Sequence, residues 1–262
     1  MESEDTNNTN RIEYAIKSNR MIFWVAVCCF GIEFIFILLD LLFTFTTWIP
    51  VIELRKIFDI TRERSVGTWL SVTLSFFAGL TLLLTFFTVR ADDGPKREAI
   101  GWLVLSLFFI YMSVDDCACI HERSGDFVER MVSSGTIPFG LSGIVTRFPT
   151  FYWQLIMGPI FAAMGLFMLY FLWQRFGKVG LRKYIIFSLI GLAVAMLIDF
   201  AEGMGRGIKR LEIVTGMSEW SVFHMLRLTE ESLEIFSIIV LFCAFLRYLA
   251  LLLKDRKITV AE

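Results

Sequence analysis

Six stretches of predominantly apolar residues recur along the chain, at Met21–Thr47, Thr68–Val89, Ala99–Glu122, Tyr152–Trp173, Lys183–Met204 and, longest of all, from about Ser218 to Leu253. About 20 apolar residues suffice to cross a bilayer as a helix. Hydrocarbon offers the backbone no water to bond with, so each crossing must satisfy its own N–H and C=O groups. The pattern therefore predicts an all-α polytopic membrane helix bundle of about six transmembrane helices. Composition agrees, because 56% of the 262 residues are hydrophobic and only 19% are charged, against about a quarter charged in soluble domains. A soluble enzyme is excluded. Cys28, Cys29, Cys117, Cys119 and Cys243 all fall inside apolar segments, so a disulfide scaffold is excluded as well. A formal net charge of −1 provides no basic face for a nucleic-acid partner.

The remaining segments read as connectors and tails. Residues 1–20 form a polar N-terminal tail, disordered or interfacial, without the pattern of a secretory signal. Residues 21–254 make up the transmembrane domain, and residues 255–262 a C-terminal tail. Gly158 and Pro159 predict a kink near the start of span four. Glu219 to Glu231 is amphipathic, with the apolar part of span six beginning near Leu233. Val51–Ile60 interleaves Ile52, Ile57, Phe58 and Ile60 with Glu53, Arg55, Lys56 and Asp59, which suits a helix lying on the membrane surface. The 123–150 loop, with Gly135, Gly140, Gly143, Pro138 and Pro149, reads equally as a lid or as an ordinary connector. Trp24, Trp48, Trp69, Trp102, Trp153, Trp173 and Trp220 lie near predicted span ends and read as interface anchors. Glycines inside the spans permit close helix packing. Lys and Arg number 13 on the N-terminal side and 10 on the other, which predicts a cytoplasmic N-terminus and C-terminus.

The informative residues are the acids that interrupt the spans. An ionised side chain at a helix centre costs about 2.5–3.5 kcal/mol on insertion scales, so it persists where it is paired, solvated or functional. Span one has Glu33 and Asp40, span three ends with Asp115, Asp116, His121 and Glu122, span five ends with Asp199 and Glu202, and span six opens with His224, Arg227, Glu230, Glu231 and Glu234. Odd spans end, and even spans begin, on the same side of the membrane. All of these groups except the deeper Glu33 are thus predicted to share one layer near a single face.

Helical spacing refines the layer. Asp199 and Glu202 are three apart, Glu230 and Glu234 four apart, and Glu231 and Glu234 three apart, so each pair shares a face. Asp115 and Glu122 are seven apart on one stripe, and His224 precedes Glu231 by seven with Arg227 between them. Carboxylates gathered this way repel one another unless something positive compensates. Three readings stay open: an ion-pair network with Arg227, Arg123, Arg206 and the two His; a divalent metal ion such as Zn, Mn, Fe or Ca; and a proton or cation path. Dinuclear carboxylate sites in helix bundles use Glu-x-x-His pairs, which this chain lacks. Cys117 and Cys119 lie about 200° apart on a helix and read as buried inert thiols. No phosphate loop, nucleophile motif or c-type haem attachment sequence is present.

Ser113-Val-Asp-Asp-Cys-Ala-Cys-Ile-His-Glu122, then Asp199 to Glu202, then Thr229-Glu-Glu-Ser-Leu-Glu234 resembles a family of uncharacterised bacterial six-span membrane proteins, loosely labelled multidrug transporters, over about residues 100–250. That family's pattern reads Ser-Leu-Asp-Glu-Ala-Ala-Ser-Ile-His-Glu, followed by Glu-Glu-Thr-Leu-Glu. The resemblance implies a bacterial inner-membrane protein and carries over Asp115, Asp116, His121, Glu122, Glu202, Glu230, Glu231 and Glu234. The chain departs from the pattern at Asp116, Cys117 and Cys119. With two His it does not resemble the three-His zinc hydrolases related to alkaline ceramidase.

The expectation is a membrane protein that binds a divalent cation through Asp116, His121, Glu122, Asp199, Glu202, Glu230, Glu231 and Glu234. Asp115, Arg227, His224, Glu33 and Asp40 would support it, Arg227 as the counter-charge. Cation transport or channel-like handling leads, because no activated nucleophile is visible. A membrane metalloenzyme, redox or hydrolytic, is the main alternative. A structural subunit of a larger membrane complex, its acids in an ion-pair network, is the third, and the partners expected are the lipid bilayer, the metal ion and a homo-oligomer or larger membrane complex.

Overall fold

A computed structural model of the chain describes residues 2–46, 50–91, 95–136, 143, 151–204 and 206–254, with side chains described outside 2–17 and 206–210. The elements are α1 (Glu2–Phe45), α2 (Ile52–Phe58), α3 (Val66–Ala91), α4 (Lys96–Ala118), α5 (Ile120–Ser133), α6 (Tyr152–Gly177), α7 (Arg182–Met204), α8 (Arg206–Thr215) and α9 (Glu219–Lys254). No strand occurs among the described residues. Six helices are long and apolar enough to cross a membrane: Ser18–Phe45 within α1, then α3, α4, α6, α7 and α9. The fold is an all-α polytopic helix bundle.

Two serines set where spans begin. The Ser65 hydroxyl accepts the N–H groups of Gly67 and Thr68 at 3.1 and 3.3 Å, and Ser218 accepts that of Ser221 at 3.2 Å. Each satisfies donors that a helix start leaves without partners. From Ser218, α9 runs 36 residues without a break, about 54 Å, and packs against α1, α3, α7 and α8. Close approach to its neighbours uses small residues. A Cβ on Gly191 of α7 would collide with Ser237 Oγ of α9, and one on Gly79 of α3 would lie 2.7 Å from Ile110 Cγ1 of α4.

An aromatic core fills the end of the bundle where α4 begins and α6 and α9 end. Trp102 is fully buried there, against Phe171, Phe176 and Tyr248 at centroid distances of 5.0, 6.4 and 4.8 Å. Trp102 is therefore a core residue and not an interface anchor, whereas Trp24, Trp69 and Trp220 are more than half exposed.

Other expectations change with the backbone. The helix of span three stops at Ala118, because Cys119 adopts a left-handed conformation (φ 52°, ψ 46°). A new helix, α5, then occupies the first part of the expected 123–150 loop. Residues 137–142 and 144–150 lie outside the described residues, and the lid reading with them, as do Trp48 and the tail 255–262. At the other end α1 already begins at Glu2, within the polar tail, and α6 runs through Pro159. The surface helix is present as α2, with no buried residue. Ile60 behind it is a core plug, 2% exposed, seated where Gly67 leaves room.

Candidate functional site

Depth places the acids at one face. Asp115 and Asp116 sit in the last turn of α4 and Asp199 and Glu202 in the last turns of α7. Glu234 lies about 30 Å along α9 from its end at Lys254, one hydrocarbon thickness.

The α4–α5 corner is built around the backbone break. Asp115, fully buried, accepts the His121 backbone N–H on Oδ1 and the His121 ring Nδ1–H on Oδ2, each at 2.9 Å. Asp115 thus covers an orphan donor at the start of α5 and holds the imidazole. Trp153 of α6 packs against that ring at 5.0 Å. Burial works against a charged ring here, but the hydrogen bond and charge of Asp115, with Glu122 and Asp116, raise the His121 pKa to about 9. Asp116 turns the other way and accepts from Ser71 Oγ of α3 at 2.7 Å. The break also ends the expected Asp115–Glu122 stripe. Glu122 instead forms, with Glu63 and Cys119, a set of donor atoms within 4.8 Å of one another. The Cys119 thiol donates to Glu63 Oε2 at 3.3 Å; burial and then this bond push its pKa to about 11. Cys119 is thus half-buried and partnered, and Cys117 is exposed, so neither is the buried inert thiol expected.

The α6–α7 corner holds Asp199 and Glu202. Gln154 Nε2 of α6 donates to Asp199 Oδ2 at 2.8 Å, and Arg227 Nε of α9 donates to Glu202 Oε2 at 3.2 Å. Arg227 is therefore the counter-charge expected of it. The other oxygens, Gln154 Oε1 and Glu202 Oε1, are buried and have no hydrogen-bond partner among the described residues.

Between the corners stand Glu230, Glu231 and Glu234, all half-buried. Glu230 lies in the field of Asp199, Glu202 and Arg227, Glu231 in that of Glu63 and Asp116, and Glu234 in that of Asp116, His121, Asp199 and Glu63. Seven of the eight candidate ligands, all but Glu122, are thus linked through the charges around these three glutamates. Among the described residues, only Glu122 of the eight belongs to a three-donor set already within 4.8 Å.

Asp40 and His224 are not part of this group. Asp40, fully buried, accepts from His224 Nε2 at 2.7 Å and from the Ile60 backbone N–H at 2.8 Å, fastening α1 to α9 and to the loop before α3. His224 stacks on Trp220 at 5.6 Å, so it does not face Glu231 as its spacing predicted. Asp40, Asp59 and His224 form a second three-donor set within 4.8 Å, with Asp59 already accepting from Thr61 and Arg62. Glu33 is buried deeper in α1, in the field of Cys29.

Sequence reasoning missed Glu63, Asp59, Ser71, Gln154 and the partnership of Cys119. Glu63 and Asp59 lie in a loop where charge is ordinary, and Ser71 is unremarkable inside a span. Gln154, an amide in an otherwise apolar opening to span four, was the available signal.

Residues 18–249 match the profile of a domain of unknown function, DUF8692. The chain belongs to that family. The match covers five of the six long apolar helices in full, α9 as far as Leu249, and every acidic residue of the cluster. No curated protein and no solved structure matches the chain.

Proposed function

We propose that this protein binds a divalent cation at the carboxylate cluster near one membrane face and handles it as a transporter or channel does. The observation that carries the reading is the position of Glu230, Glu231 and Glu234. They stand among Asp116, Asp199 and Glu63, with Arg227 beside Glu202 as the guanidinium at hydrogen-bond distance from an acid of the group. A purely structural role accounts for Asp40, Asp115 and Glu202, each of which has a His or Arg partner. It does not account for the three glutamates, because gathered carboxylates repel without a compensating charge. Carboxylates with one imidazole suit Zn, Mn, Fe or Ca. An arriving ion draws the flexible glutamates inward and completes its own coordination.

The fold supports a setting in a membrane, the loop charges favour cytoplasmic termini, and the family resemblance implies a bacterial inner membrane. The multidrug label of the resembling family adds no substrate to this reading. A metalloenzyme using the same ligands is separated from transport by flux.

Metal analysis of the purified protein is the first test. Expected is bound divalent metal in the wild type, lost in Glu231→Gln and reduced in His121→Ala while both variants stay folded. Liposomes containing the protein should then admit that metal. Absence of copurified or added metal, with variants that lose stability only, would defeat the proposal.

A further inference from the structure

Two acceptor oxygens in the α6–α7 corner are buried without a donor among the described residues, and this is a different observation from the clustering of acids. Gln154 is 8% exposed and Glu202 5% exposed. Each has one polar atom engaged, Gln154 Nε2 on Asp199 and Glu202 Oε2 on Arg227, and the partner oxygen, Oε1, orphaned. A buried acceptor without a hydrogen bond forfeits its hydration, so the corner calls for a positive or proton-bearing guest. The Gln154 amide is held by its bond to Asp199, so the orphaned carbonyl oxygen belongs to a group already in contact with one of the acids.

Charge points the same way. Asp199, Glu202 and Glu230 act on one another, and among the described residues Arg227 is the guanidinium hydrogen-bonded to one of them. A cation entering the corner relieves the repulsion among these carboxyl groups.

Donor chemistry sets the class of ion. Gln154, Asp199, Glu202 and Glu230 offer amide and carboxylate oxygen, the set taken by hard cations such as Ca2+, which accepts six to eight oxygens at about 2.3–2.6 Å in flexible geometry. The α4–α5 corner offers His121 nitrogen and Cys119 sulfur, which suit softer ions. We infer that Gln154, Asp199, Glu202 and Glu230 form a hard-cation subsite, selective for Ca2+ over Zn2+, with Gln154 as a ligand. The inference rests on the cation-binding reading above and specifies where in the cluster a hard ion sits.

The test measures 45Ca2+ and 65Zn2+ binding to the full chain in nanodiscs. Gln154→Met keeps length and removes the oxygen. It is expected to weaken Ca2+ binding at least tenfold and to leave Zn2+ binding within twofold, whereas Gln154→Glu keeps Ca2+ affinity within threefold. If Gln154→Met does not fold, Gln154→Asn replaces it, read by loss of the Ca2+-dependent rise in Tm that the wild type should show. Unchanged Ca2+ binding in Gln154→Met, with loss in Glu230→Gln, would overturn the subsite and leave cation binding standing. Wild-type protein that binds neither ion would overturn both.

Discussion

Asp115 grips His121 at two points, taking the backbone N–H on one carboxylate oxygen and the ring Nδ1–H on the other, both at 2.9 Å. A single buried side chain thereby fixes the direction of α5 and the orientation of the imidazole that faces the cluster. The grip has a thermodynamic sign. The folded-state pKa of His121 is raised from 6.5 to about 9. The associated stability is therefore fully present below pH 6.5 and is lost as pH rises through about 9.

On that basis, chelator-treated protein should melt several degrees lower at pH 10 than at pH 7, a loss on the order of 3 kcal/mol at most. His121→Gln should reduce this dependence. Thermal melts across that range, read by tryptophan fluorescence, check it, and an equal fall in the variant would contradict it.

Asp40→Ala should be among the more destabilising single changes in the chain. It strips the acceptor from His224, 5% exposed, and from the Ile60 N–H, at a cost of about 1–3 kcal/mol for each buried donor left unpaired. Asp40→Asn, which keeps one carbonyl oxygen, should fall between Ala and wild type. Unfolding midpoints in detergent rank the three, and wild-type stability in Asp40→Ala would show the pair to be dispensable.

Gly79→Val should pry α3 from α4. A Cβ there already meets Ile110 Cγ1 at 2.7 Å and the Ile110 backbone nitrogen at 3.1 Å, and backbone cannot step aside as a side-chain tip does. The expected penalty is about 1–3 kcal/mol, seen as a lower Tm and lower yield. Gly31→Ala, with open space around the position, is the matched control and should show little change.

Glu63→Gln should make Cys119 more reactive. Burial is the larger reason for its pKa of about 11, and the hydrogen bond and charge of Glu63 raise it further. Removing that charge lowers the pKa and increases the thiolate fraction. Maleimide labelling at pH 8, mapped by mass spectrometry, should accelerate several-fold at Cys119 and stay constant at Cys117. A Cys119 rate unmoved by the variant would show that burial alone controls the thiol.

The membrane bundle and the common depth of the acids were legible in the chain itself. Hydrocarbon demands long apolar helices, and the alternation of spans then places every late-odd and early-even residue at one face, whatever the packing. Partnership was not legible, because it depends on how helices rotate about their axes and where one of them breaks. The left-handed Cys119 undoes the seven-residue stripe from Asp115 to Glu122, turns His121 back onto Asp115 and puts the thiol on Glu63. Rotation of α9 sends His224 to Asp40 and Arg227 to Glu202, although spacing alone had aligned both with Glu231. The amide of Gln154 acquires meaning only once α6 lies against α7. Apolar length and charge depth are properties of one segment, readable in order along the chain, whereas a hydrogen-bond partner is a property of two segments and exists only after they pack.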